Sequence, residues 1–140
     1  PKVSQDVGMI QTGCLFDQEI CHNIVKQWTK DDLDHFESHY ILDKYLHPIL
    51  YSIFMILLLS NEAKYNNWLK NNQTILSIGI ALAGLCDMIE NQLHYEIVRL
   101  NGINVPDSAY MYGSLFAILK WVLILPIGNY LIFRFIKRQF

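Results

Sequence analysis

The sequence predicts an all-α integral membrane helical bundle with three spans, preceded by an amphipathic helical segment outside the membrane. Of the 140 residues, 52 % are hydrophobic and only 17 % are charged, against about 25 % charged residues in ordinary soluble domains. The apolar residues are concentrated in three long runs. The net charge of −2 offers no basic surface for nucleic acid, so that class of partner is excluded.

Polar residues dominate positions 1–41, which we expect to form the extramembrane segment, and residues 42–140 are expected to form the membrane domain. A short amphipathic helix is predicted from Asp17, whose carboxylate is a suitable N-cap. Its apolar side chains recur at helical spacing, at Ile20, Ile24, Val25 and Trp28.

A second helix is predicted to begin after Thr29 as its N-cap and to continue without a break into the first apolar run. It enters the bilayer near Asp43, and a span over about residues 42–60 has the required length of about 20 residues. Pro48 lacks an N–H and removes one backbone hydrogen bond, so we expect a kink near Lys44.

The second span is predicted over about residues 73–98, after a polar connector at residues 61–72. Gly79 and Gly84 lie in its apolar half and permit close contact with another helix. The third span, about residues 109–133, follows a turn at residues 99–108 that contains Gly and Pro. Pro126 and Gly128 are expected to kink this third span.

Basic residues indicate the orientation. The carboxyl-terminal tail has Arg134, Lys137 and Arg138, and the connector at residues 61–72 has Lys64 and Lys70. With three spans both regions lie on one side of the membrane, and the positive-inside rule makes that side cytoplasmic. The amino-terminal segment is then extracytoplasmic.

That orientation bears on the cysteines. Outside the cytoplasm Cys14 and Cys21 can form a disulfide, and two unpaired thiols are the equal alternative. Cys86 lies in the apolar run and is interpreted as a small packing residue.

The second span carries Asp87, Glu90, Asn91 and His94 in its second half. Ionisable groups inside a span are costly and indicate a functional site by default. Asp87 and Lys120 lie equally far along the chain from the turn at residues 99–108, about 18 Å along two antiparallel helices. We therefore expect Asp87 and Lys120 to pair.

Other polar residues of the spans are expected at a similar depth in the membrane, where they can form a larger polar cluster with this pair. Its predicted members, which are also the candidate ligand-binding residues, are Asp43, His47, Tyr51, Asp87, Glu90, Asn91, His94, Lys120 and Trp121. Two interpretations are open: a network that fixes helix register, or a site in which a surplus carboxylate, first of all Glu90, holds a proton. Asp87, Glu90 and Lys120 are the catalytic candidates under the second interpretation.

The predicted function is ligand binding, or an accessory role in a membrane assembly with other subunits. A membrane enzyme that uses carboxylate acid–base chemistry on a lipid-like substrate is the alternative, together with proton-coupled transport as an oligomer. The predicted partners are the lipid bilayer and an apolar ligand or other membrane subunits. Whether the protein is an enzyme stays open.

Acidic and histidine residues also recur every four positions on the first long helix, at Asp31, His35, His39, Asp43 and His47. His35 and His39 at i and i+4 are candidate metal ligands, but no second motif supplies the remaining ligands. Haem held by His47 and His94 is favoured less still, because no CxxCH motif is present. No cofactor is predicted.

The DMIEN run at residues 87–91, the KW pair at residues 120–121 and the helix LDKYLHPILY at residues 42–51 resemble a group of small polytopic bacterial membrane proteins. These carry D-x-x-E-N on one span and K-W on the next, and the resemblance covers roughly residues 15–138. It implies a helical membrane fold and no reaction, since the group has none assigned. Members look like four-span proteins, so the start at Pro1 implies a missing or cleaved upstream span.

Overall fold

The computed structural model describes residues 18–100 and 105–139, and their regular structure is entirely helical. The elements are α1 (Gln18–Lys26), α2 (Lys30–Ile41), a π-helical turn (Leu42–Leu46), α3 (His47–Ala63), α4 (Asn67–Arg99) and α5 (Asp107–Gln139). The expected N-cap Asp17 lies outside the described residues, as does the proposed Cys14–Cys21 bond, because the side chain of Cys21 is not described.

Among the described residues, three helical stretches are long and apolar enough to cross a membrane: Lys30–Ala63, Asn67–Arg99 and Asp107–Gln139. Large apolar side chains cover their outer faces, with Ile75 71 % exposed and Leu57 and Val122 each 63 % exposed. A soluble protein rarely exposes apolar patches of this extent. The all-α class and the three apolar helices predicted from the sequence are confirmed.

Helix α2 begins in a capping box, which confirms Thr29 as its N-cap. The amide of Thr29 donates to Asp32 Oδ2 at 2.9 Å, and the amide of Asp32 donates to Thr29 Oγ1 at 3.3 Å. The helix leaves α geometry at Leu42–Leu46, where a kink near Lys44 was predicted. Pro48 explains this change of geometry, because it has no N–H to donate to the Lys44 carbonyl as an α-helix requires.

The connection between α3 and α4 is much shorter than the connector expected at residues 61–72. It comprises only residues 64–66, between Ala63 and Asn67. The expectation was wrong because polar side chains do not by themselves end a helix. The new helix starts where the Asn66 side chain accepts from the amide of Leu69 at 3.1 Å. Helix α5 continues as helix through Pro126 and Gly128.

The residues ahead of the long helices pack on the end of the bundle where α4 ends and α5 begins, called here the α4–α5 end. An apolar cluster joins the two parts of the chain there, with buried members Val25, Trp28, Ile97, Val98 and Tyr110. His22 Nδ1 lies 3.4 Å from the Tyr110 hydroxyl. The described part of the polar segment is therefore docked against α4 and α5.

A second apolar cluster lies toward the opposite, α3–α4 end, with buried members Met55, Leu59, Ala63, Leu69, Ile80 and Leu131. Beside it Arg138 pairs with the fully buried Glu62 at 3.3 Å, and its guanidinium lies 4.4 Å from the centre of the Tyr65 ring. This ion pair was not predicted, because Glu62 and Arg138 belong to stretches interpreted as a polar connector and a basic tail. It holds the end of α5 against α3.

Gly84 lies against α3, which confirms the close helix contact expected of it. A Cβ at Gly84 would collide with the Ser52 side chain and lie 3.4 Å from the Pro48 carbonyl oxygen. At Gly79 the nearest atom is the tip of the Ile127 side chain, at 3.4 Å. Only Gly84 therefore faces the backbone of a neighbouring helix.

We predict that Gly84→Leu lowers the free energy of unfolding by about 2–3 kcal/mol, since an overfilled contact must force the two helices apart. Gly79→Leu is the matched control and should change it by less than about 1 kcal/mol, because the Ile127 tip can move. Unfolding in mixed detergent micelles, followed by circular dichroism, measures both. Equal losses in the two variants would contradict the close approach at Gly84.

Candidate functional site

A buried charged cluster joins α4 to α5 about half-way along both helices. Asp87, Glu90 and His94 lie on one face of α4, because positions three and four apart are neighbours on a helix. Lys120 on α5 meets them: its Nζ lies 3.0 Å from Asp87 Oδ1 and 2.6 Å from Glu90 Oε2. The predicted Asp87–Lys120 pair is confirmed.

Glu90, the first candidate for the surplus carboxylate, is fully buried and makes the shorter of the two contacts with Lys120. Its side chain is one methylene longer than that of Asp87, so it reaches the ammonium from one turn away. His94 Nδ1 lies 3.7 Å from Glu90 Oε1 on the other side. Asp87, which is 5 % exposed, is the carboxylate of the two that lines the cleft between the long helices.

Asn91 connects this cluster to the first long helix. Its Nδ2 donates to Asp87 Oδ1 at 3.0 Å and to the backbone carbonyl of Asp43 at 2.9 Å. In the π-helical pattern that carbonyl would pair with the amide of Pro48, which has no N–H to give. Asn91 thus provides the donor that the proline lacks and ties α4 to the π-helical turn.

The three long helices enclose a cleft of about 560 Å³. Its polar lining consists of His35, His39, Tyr40, Asp43, His47, Tyr51, Asp87, Asn91, His94 and Lys120. Its apolar and aromatic lining consists of Phe36, Phe54, Met55, Trp121 and Ile124. Every member of the predicted polar cluster lines the cleft except Glu90, which lies behind it against Lys120.

The acidic and histidine residues that recur every four positions on the first long helix are called here the stripe. Four of its five members line the same cleft, all but Asp31. The rings of His35 and His39 meet edge to face with their centres 4.8 Å apart, and those of His47 and Tyr51 are 5.5 Å apart. Within residues 18–100 and 105–139, no group of three or more His, Cys, Asp or Glu side chains is placed to hold a metal ion. The stripe therefore gives the cleft a polar wall.

A hydrogen-bonded network centred on Gln92 was not predicted. Gln92 Oε1 accepts from the Tyr40 hydroxyl at 2.7 Å and from Lys44 Nζ, while Gln92 Nε2 donates to Glu96 Oε1 at 2.7 Å. The ring of Tyr40 stacks on that of Tyr95, with centres 3.8 Å apart. The sequence gives little indication of these hydrogen bonds, because several residues next to Gln92 are also polar. Their pattern does not show which helix the Gln92 side chain faces.

Comparison of the chain with protein-family models, with curated proteins and with solved structures finds no match. The geometry of the cleft is therefore the basis for any assignment of function. Three properties define it: an apolar inner part, a polar wall, and an ion cluster of which Asp87 and Lys120 belong to the lining.

We predict that Lys120→Met lowers the free energy of unfolding by about 3–5 kcal/mol, because two buried carboxylates lose their shared cation. Asp87→Asn should cost less, about 1–3 kcal/mol, since Lys120 keeps Glu90. Adding Glu90→Gln to Lys120→Met should recover part of the loss. Unfolding in mixed micelles tests this, with Lys70→Met on the exposed start of α4 as the control. A Lys120→Met variant as stable as Lys70→Met would contradict it.

Proposed function

We propose that this protein crosses the membrane with its three long helices and binds a small amphipathic molecule in the cleft between them. The observation that carries the proposal is the cleft itself, which combines an apolar inner part with a row of polar side chains. Its volume of about 560 Å³ falls among ligand sites, which span about 300–1,000 Å³.

The direction in which a ligand would lie follows from the lining residues. Along the first long helix the polar positions, from His35 to His47, precede the apolar positions Phe54 and Met55. Ile124 on α5 belongs to the same apolar end. A polar head group fits beside Asp43 and His47, and an apolar chain fits toward Phe54 and Ile124.

The charged cluster has two roles in this proposal. Glu90 and Lys120 fix the register of α4 against α5, as polar groups do between helices in membranes. Asp87 is held by the same ammonium and, like Lys120, lines the cleft, so it can contact a ligand. Lys120 therefore takes part in both roles, whereas Glu90 takes part only in the first.

One observation favours a catalytic role as the second candidate. Asp87 and Lys120 both line the cleft and lie 3.0 Å apart, so a bound molecule can reach a proton acceptor and a cation together. That is the arrangement required for acid–base chemistry on a lipid-like substrate, with Asp87 as the base and Lys120 stabilising developing negative charge.

We also propose that the α3–α4 end faces the cytoplasm. Lys64 and Lys70 belong to this end, and Arg138 reaches it through its pair with Glu62. The positive-inside rule then gives a cytoplasmic carboxyl terminus. The segment at residues 1–41 is extracytoplasmic in this orientation.

Binding in the cleft is tested with 1-dodecanol added to the protein in lipid nanodiscs, and native mass spectrometry as the readout. We predict that Ile124→Trp, which fills the apolar end, lowers occupancy at least tenfold. Ile75→Trp is the matched control on the outer face of α4 and should leave occupancy unchanged. Absence of 1-dodecanol, dodecylamine and dodecanoate alike from the unaltered protein, or equal occupancy in both variants, would overturn the proposal.

The orientation is tested with single cysteines in a variant whose native cysteines are replaced by serine. In intact bacterial cells we predict that a membrane-impermeant maleimide labels Asp107→Cys at the α4–α5 end. Lys64→Cys at the other end should be labelled only after the cells are permeabilised. The reverse pattern would show that the carboxyl terminus is extracytoplasmic.

A further inference from the structure

We propose that the cleft selects amphiphiles whose head group is a cationic amine, rather than a neutral or anionic one. This inference names the ligand class of the site and rests on the proposed binding function.

Negative charge predominates at the described cleft lining. Asp43 and Asp87 are its acidic members, and Lys120 is the only permanent cation among the described residues that line it. The charge of Lys120 is shared with Glu90 at 2.6 Å as well as with Asp87. Two carboxylates thus share one ammonium, and Asp43 adds a further acid to the lining; an uncompensated charge costs most where water is scarce.

The nearest other cation is held away from this charge. Lys44 follows Asp43 directly in sequence, but its Nζ donates to Gln92 Oε1 and lies over the ring of Tyr45, 4.6 Å from its centre. Lys44 is absent from the cleft lining. The Gln92 network therefore prevents this lysine from neutralising Asp43 and Asp87.

The geometry provides two further contacts that suit an ammonium group. Both Asp43 and Asp87 are hydrogen-bond acceptors, and a primary amine carries three N–H donors when charged. Tyr51 also lines the cleft, and aromatic faces attract cations. A carboxylate head group in the same place would meet two like charges without a free cation to receive it.

The position of the acids also suits an amphiphile. Asp43 and Phe54 lie roughly 16 Å apart along the helix axis at 1.5 Å per residue. An amine beside Asp43 can therefore extend an apolar chain through the cleft toward Phe54 and Ile124. Asp87 lies on the opposite wall, on α4, so the head group is approached by carboxylates from two helices.

The test compares three probes with the same chain: dodecylamine, 1-dodecanol and dodecanoate, at equal mole fractions in lipid nanodiscs. Native mass spectrometry of the full chain gives the occupancy of each. We expect dodecylamine to bind at least tenfold more tightly than 1-dodecanol, and dodecanoate to bind most weakly. Each probe should lose occupancy in Ile124→Trp, which shows that it occupies the cleft.

Asp43→Asn removes one of the charges without removing the backbone carbonyl that Asn91 contacts. We expect this variant to lower dodecylamine occupancy about tenfold and to leave 1-dodecanol unchanged. Asp34→Asn is the matched control, an exposed acid of the same helix outside the cleft lining, and should bind all three probes as the unaltered protein does.

Two outcomes separate this inference from the proposed function. If dodecylamine and 1-dodecanol bind equally, or dodecanoate binds best, and occupancy still depends on Ile124, the cleft binds amphiphiles without selecting amines. The inference then fails and the proposed function stands. If none of the three probes binds in a way that Ile124→Trp reduces, both are overturned.

Discussion

The structure depends on one ammonium group shared between two buried carboxylates. Lys120 cannot leave water without partners, and Glu90 at 2.6 Å and Asp87 at 3.0 Å provide them. Burial of any one of these charges alone would cost several kcal/mol, on the order of 3–5. The alignment of α4 with α5 follows, because sliding either helix by one turn would separate the charges by about 5.4 Å. The residues of α4 and α5 that line the cleft take their relative positions from this alignment.

The first long helix contacts α4 through the backbone carbonyl of Asp43. Pro48 leaves the Asp43 carbonyl without its π-helical partner, and Asn91 provides the missing hydrogen bond at 2.9 Å. The π-helical turn also affects the stripe of acidic and histidine residues. Positions four apart drift around an α-helix because a turn takes 3.6 residues, and the wider π-helical turn reverses part of that drift. His35, His39, Asp43 and His47 consequently line one cleft.

Stability and the proposed binding function are therefore divided among neighbouring residues. Glu90 and Lys120 hold the helices, whereas Asp87 and Asp43 present charge to the cleft. Gln92 keeps Lys44 away from that charge. At the other end Glu62 and Arg138 join α3 to α5, and Gly84 allows α3 to approach α4 closely. The cleft is thus bounded by contacts that do not themselves need a ligand.

The sequence by itself determined the helical class, the three apolar helices, the Thr29 cap, the irregularity near Lys44 and the pairing of Asp87 with Lys120. Each of these depends on local chemistry or on counting residues along antiparallel helices, which a single chain displays. Tertiary structure alone decided which carboxylate is enclosed and which lines the cleft. It also decided the Gln92 network and the Glu62–Arg138 pair. These depend on how far each helix is rotated toward its neighbours, and periodicity does not fix that rotation when polar residues occupy several adjacent positions.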